Sequence, residues 1–287
     1  MGLWRRSLWA ACLALCLSQA AAIERIVYPL HQAVHDPQLD YVLAVLRLAV
    51  ARCGKPYELE QSSQAMVQGR ALVELAKPHG PIDIVWAMTD TEREKELLPI
   101  RIPIDKGLIG WRLALVRQAD AQRWRDVRTT ASLAASVAAQ MHDWPDTAIL
   151  RANGLQVSTT SNYEALFQQL SLGHVDYVPR SVIEIGDELA SHPGLGLAIE
   201  PHLVIRYPTA FYFFVSPLRT ELAEDLTRGL EAAIADGSFD ALFNQHFGDL
   251  ANRLHLKDRT LIELRNPLLP AQTPLARKAL WFQGPPP

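Results

Sequence analysis

Apolar and polar positions along this chain fall in short blocks whose period switches between two and about 3.6 residues. Ile23 to Tyr28 predicts a first strand closed by Pro29. Leu39, Val42, Leu43, Val45, Leu46 and Ala49 then recur at helical spacing, with Asp40 at the start and Gly54 as the stop signal. Tyr57 to Gln61 alternates as a second strand. Ser63 stands as the cap of a helix through Met66, Leu72, Val73 and Leu75, which Pro78-His79-Gly80-Pro81 breaks. The apolar run Ile82 to Trp86 follows, completing the β-α-β-α-β alternation of a parallel sheet covered by helices.

That third strand runs out into a polar turn, Thr89-Asp90-Thr91-Glu92-Arg93. Ligands of open α/β sheets gather at the carboxyl ends of the strands, and a planar guanidinium there suits a carboxylate. Asp90, Glu92 and Glu96 offer Arg93 the competing role of a surface ion pair. Trp111 to Arg117 alternates as another strand, after which Gln118-Ala119-Asp120 reads as a crossing into a second half. There Ser136 to Ala139 predicts a strand, and Asp143 or Asp146 a helix cap after the loop around Trp144. Leu155 to Val157 and a helix from Thr160 through Leu170 come next. Beyond Gly173 a brief strand ends at Arg180, a second cleft candidate with Glu184 or Asp187 as alternative ion partners. Leu195 to Ile199 and Leu203 to Ile205 bring the chain back, and Arg206-Tyr207-Pro208 reads as the return crossing. Ala210 to Val215 is a wholly apolar strand, Leu218 to Ala235 an amphipathic helix, and Phe239 to Phe247 a last short one.

Composition narrows the function. The 287 residues carry a formal charge of −3 with no basic stripe interleaved with aromatics, so no nucleic-acid partner is expected. Residues 1–22 have a basic start, an apolar run from Leu8 to Leu17 and small residues at Ala20 and Ala22, the pattern of a secretory signal peptide. The run is too short to span a bilayer, so a soluble periplasmic protein is expected, cut after Ala20 or Ala22. Cleavage removes Cys12 and Cys16 and leaves Cys53 as a lone buried thiol. His31 and His35 stand four apart, but Pro29 and Pro37 bracket them as a loop, and no metal or other cofactor is expected. No Gly-x-Ser-x-Gly, His-Glu-x-x-His or Gly-x-x-x-x-Gly-Lys motif occurs, so no enzyme is expected.

The return block Thr209 to Val215, the long helix, Asp236-Gly237-Ser238-Phe239 and His246-Phe247-Gly248 together resemble one family. So do Gly173-His174-Val175-Asp176-Tyr177 and the segment from Ile84 to Arg93. The family is the periplasmic solute-binding proteins of the polar amino-acid class. The resemblance implies an α/β clam-shell of the periplasmic-binding-protein type, with parallel-rich sheets covered by helices and two crossover hinges. Lobe 1 would comprise residues 23–117 with 207–248, and lobe 2 residues 118–206. Residues 249–287 would form an extension packed on one lobe. It further implies a ligand site at Arg93, Thr91, Thr89, Trp86 and Tyr28 from one lobe and Trp144, Arg180 and Ser181 from the other. Where the family commonly places an aspartate for the ligand's amino group, this chain has Arg180 and Ser181. The expected ligand is therefore a small polar, carboxylate-bearing molecule rather than an ordinary α-amino acid. The expected partner is a membrane transporter or sensor protein, and the expected state a monomer. A module that has lost tight ligand binding and acts in protein interaction is the alternative.

Overall fold

The computed structural model describes residues 23–31 and 38–284; the expected signal peptide and His35 lie outside them. β1 (Glu24–His31), α1 (Leu39–Val50), β2 (Tyr57–Met66), α2 (Gln68–Ala76) and β3 (Ile84–Met88) come first. The turn after β3 leads into α3 (Arg93–Glu96) and β4 (Leu98–Ile100). β1 and β2 pair in parallel, and β11 (Phe211–Val215) returns from far along the chain to sit antiparallel between β3 and β4. Asp83 joins the two sets. Its N–H donates to Val27 O (2.7 Å), and its carboxylate accepts the Val27 N–H (2.9 Å). The strand order of this lobe is therefore β2-β1-β3-β11-β4.

Period-two patterning explains why β3 and β11 are apolar throughout. Ile84, Trp86, Met88, Phe211 and Phe213 face the main core, with Leu46 of α1 and Leu226 of α8 (Thr220–Ala235). Val85, Ala87, Tyr212 and Phe214 face a second cluster with Ala71 and Leu75 of α2. Both faces of the sheet are thus covered. α1 and α8 approach so closely that a side chain at Gly229 would put Cβ 2.0 Å from Ala49 O. α9 (Ser238–Phe247) packs on the same pair. Cys53, at the end of α1, is buried and its thiol donates to backbone carbonyls of Val50 and Lys55.

The second lobe repeats the plan. It contains β5 (Trp111–Arg117), α4 (Thr130–Leu133), β6 (Val137–Met141), α5 (Pro145–Ala152), β7 (Gln156–Thr160) and α6 (Tyr163–Ser171). β8 (Val178–Ser181), α7 (Ile185–Ser191), β9 (Leu197–Ile199) and β10 (Leu203–Arg206) complete it. β6 pairs with β7 in parallel and bridges to β8 at Ala138 and Tyr177; β5 is antiparallel to β8, β9 and β10. All the pairing of β5 is thus with lobe 2 strands, although the sequence reading placed Trp111–Arg117 in lobe 1. The crossings lie instead at about 101–110 and 206–210. They touch: Tyr207 N–H donates to Gly110 O, and a Cβ at residue 110 would sit 2.3 Å from Tyr207 O.

Three local expectations shift. β1 continues through Pro29 with an irregularity between Tyr28 and Leu30. β2 absorbs Ser63, because among the described residues its only strand partner is β1 and an edge strand tolerates a polar run. The tail after residue 248 touches both lobes rather than one: its strand β12 (Thr260–Glu263) joins lobe 2 beside β10, while Arg277 pairs with Glu231 of α8.

The first crossing holds a fully buried carboxylate. Asp105 accepts the N–H groups of Gly107 (2.9 Å) and Ile109 (2.6 Å), and burial pushes its pKa up to about 7. Between the ordinary carboxylate range and about pH 7, the folded chain keeps a proton that the unfolded chain releases. Asp105 should therefore make stability fall as pH rises from about 4 to about 7. Urea unfolding midpoints across this range should show that slope, and Asp105→Asn should flatten it.

Candidate functional site

A cleft of about 460 Å³ opens between the lobes, where the carboxyl ends of their strands meet. Lobe 1 contributes Gln38, Trp86, Met88 and Phe211 to its wall, the first crossing Ile109, and lobe 2 Arg112, Trp144, Tyr163 and Arg180. Five carboxylates, Asp143, Asp146, Glu164, Glu184 and Glu188, line it against the two guanidiniums of Arg112 and Arg180, a formal charge of −3.

Arg112 opens β5, which puts it under the cleft floor at 2 % exposure. Its guanidinium meets Asp146 at 2.7 Å and Glu184 at 3.6 Å, and touches Met88 Sδ of lobe 1 at 3.5 Å. The Tyr207 hydroxyl donates to Asp146, and the Tyr207 ring lies 5.8 Å from the Arg112 charge. Burial acts to lower the pKa of Arg112, but Asp146, Tyr207 and Glu184 outweigh it and raise it, so the cation is secure. The Arg112 Nε–H is left without a hydrogen-bond partner.

Arg180, at the end of β8, forms a second unit. It meets both oxygens of Glu188 (2.7 and 2.9 Å) through Nε and Glu184 at 3.0 Å, and its guanidinium covers the Trp144 ring at 4.4 Å. Tyr163 donates to Glu188 at 2.5 Å, and Gln38 reaches across from lobe 1 to Glu184 at 2.6 Å. Glu184 also accepts the Ser181 N–H at 3.3 Å and so has four partners, yet burial still holds its pKa above the ordinary range. Negative charge exceeds the cations available to it.

Of the residues expected from sequence, Trp86, Trp144 and Arg180 line this cleft. The others do not. Tyr28 stands behind Trp86, ring centroids 6.3 Å apart. Thr89 is buried and donates to Glu94 (2.7 Å); Thr91 is exposed, and its N–H donates to Leu268 O. Arg93 is turned back on its own turn, donating to Met88 O (2.6 Å) with Asp90 at 3.2 Å, and reaches lobe 2 only through a 3.4 Å contact with Asp143 O. Ser181 is buried and donates to Leu108 O. Asp143 and Asp146, expected to cap α5, do not: Trp144 is the cap residue, Pro145 opens the helix, and Asp146 goes to Arg112 instead. Arg112, Asp146, Tyr163, Glu184 and Glu188 are the cleft residues that spacing alone did not bring together.

Removing one member of a buried pair strands the other charge at a cost of about 3–5 kcal/mol. Asp146→Ala should destabilise by that order in denaturant unfolding, whereas Asp143→Asn, at the exposed rim, should change stability by less than about 0.5 kcal/mol.

No protein-family description and no curated protein matches this chain. Solved structures do. An ancestral arginine-binding protein bound to arginine superposes with a TM-score of 0.58 at 16% identity, covering 78% of this chain and 98% of its own. A periplasmic His/Glu/Gln/Arg/opine family-binding protein from Silicibacter pomeroyi in complex with lysine gives 0.54 at 12%, covering 73% and 87%. The ancestral amino acid-binding protein AncCDT-1, a precursor of cyclohexadienyl dehydratase, gives 0.55 at 14%, covering 78% and 95%. Identities this low speak for architecture: the chain has the two-lobed α/β fold of the periplasmic amino-acid-binding proteins.

Proposed function

We propose that this protein is an exported solute-binding protein whose cleft takes a small cationic solute, an amine or guanidine with a modest apolar body. One observation carries the reading: five carboxylates line the cleft, and the two guanidiniums among them are already held in ion pairs. A solute that brings positive charge relieves the excess, while a dianion adds to it. This departs from the carboxylate-bearing ligand expected from sequence, because Arg93 and Arg180 are engaged within the protein.

The volume suits a small molecule, and Trp86, Trp144 and Phe211 offer it apolar walls. The solved relatives in fold include proteins bound to arginine and to lysine, which supports the class. Gln38 of lobe 1 on Glu184 of lobe 2 links the lobes directly over the site, so a solute held by Glu184 and its neighbours favours the joined arrangement. Among the described residues no helix is long and apolar enough to cross a membrane. The reading places the mature monomer in the periplasm, delivering its solute to a membrane transporter or sensor, with no catalytic step.

A thermal-shift panel tests this. Arginine, lysine, agmatine and putrescine should contain a compound that raises the melting temperature by about 5–10 °C at a hundredfold excess over Kd; succinate and glutamate should not. Silence from every cation, or a response to the dianions alone, overturns the reading. For a compound that binds, Asp143→Asn and Glu164→Gln should each weaken affinity severalfold. Because burial holds Glu184 above its ordinary range, a bound cation draws off its proton. Calorimetric affinity should therefore rise with pH through that titration.

A further inference from the structure

Two connections are enough to make a hinge, but in this chain the tail adds two more passages between the lobes. After α9, which packs on lobe 1, the chain crosses to lobe 2, where β12 pairs with β10 over Leu203 to Arg206. Arg259 fastens that end: its side chain is 5 % exposed and donates to Leu254 O (2.8 Å) and Leu203 O (3.1 Å). Asn153, the residue that ends α5, then clasps Arg265, donating to its carbonyl (2.7 Å) and accepting its N–H (3.0 Å). From there the tail runs back. Asn266 donates to Pro208 O in the return crossing (2.9 Å), and Leu268 O accepts the Thr91 N–H on lobe 1 (3.1 Å). Arg277 makes a two-pronged ion pair with Glu231 of α8 (2.5 and 2.6 Å).

The far end seats on the first crossing itself. Phe282 N–H donates to Lys106 O (2.7 Å), and the Phe282 ring meets Trp111 at 5.4 Å. Trp281 covers Gly107, a left-handed residue of that crossing (φ +75°), so closely that a Cβ there would lie 2.6 Å from the indole. Hinge opening needs φ/ψ changes in a few residues of the connections. Here those residues are overlaid by a segment that is anchored to both lobes.

We infer that residues 254–284 are a brace that fixes the angle between the lobes, so that wide opening requires release of its far end, 268–284. The inference goes beyond the binding reading, and its test needs no solute. Spin labels at Lys95→Cys on α3 and Asp187→Cys on α7, in a Cys53→Ser chain beginning at Ile23, report the distance between the lobes. The intact chain should give one narrow distance. Ending the chain after Pro267, which keeps β12, should add a second, longer one. So should Arg277→Ala, Trp281→Ala and Phe282→Ala combined at full length. A broad or two-peaked distribution in the intact chain overturns the brace, as does an unchanged single peak in a released form that still melts cooperatively. If neither released form folds, the distribution of the intact chain decides.

Discussion

A guanidinium removed from water at the meeting point of two lobes and two crossings needs partners from several sides, and Arg112 draws them from four elements, with its Nε–H left unpartnered. Asp146 comes from α5, Glu184 from the turn before α7, the Met88 sulfur from lobe 1, and Tyr207 from the return crossing. Each partner is carried by a different element, so satisfying one buried charge fixes the mutual placement of five pieces of chain. A buried ion pair gives little net stability, since desolvation offsets most of the attraction. Its effect is on arrangement: any shift of β5 against α5 or β3 breaks a contact that water cannot replace.

The same logic shapes the cleft. Lobe 2 stacks a second guanidinium unit, Arg180 with Glu184 and Glu188, beside the first, and Glu184 is shared between them. Three buried carboxylates around two cations leave one charge unmatched, and Asp143 and Glu164 at the mouth add to it. The chemistry of the site is therefore set less by a single hook than by an imbalance. Around it, the crossings and the tail converge on Gly107, Gly110 and Tyr207, so the structure that holds the charges together is also the structure that limits how the lobes can turn.

Much of the fold was legible because its strongest signals are periodic. Phe211 to Val215 could only be a strand covered on both sides, and Leu222, Leu226 and Leu230 only one stripe of a helix. Polar edge structure was harder: the alternation marked Tyr57 to Gln61, but the strand continues from Ser62 to Met66 because it borders β1, and Ser63 looked like a cap for that reason. In the site, Trp86, Trp144 and Arg180 were legible as residues at strand ends and the loop after β6. Arg112 and Asp146 were not. They are 34 positions apart in sequence, and each has an ordinary local reading, one as a strand residue and one as a helix cap; the sheet that sets β5 beside β8, and β8 beside β6, brings them together. Glu188 went unremarked because the turn after β8 brings it, rather than Asp187, round to Arg180.

The central place of β11 in lobe 1 also bears on the order in which the molecule assembles. Lobe 2 draws its sheet, apart from β12, from one uninterrupted stretch, although β5 must wait for β8, β9 and β10, each more than 60 positions further on. Lobe 1 leaves a gap between β3 and β4 that only residues 211–215 fill, more than a hundred positions after β4 ends. Contacts of such separation form late, because loop closure must be met before they contribute. Lobe 2 is thus complete, apart from β12, once the chain has passed residue 206, while lobe 1 stays incomplete until β11 has emerged.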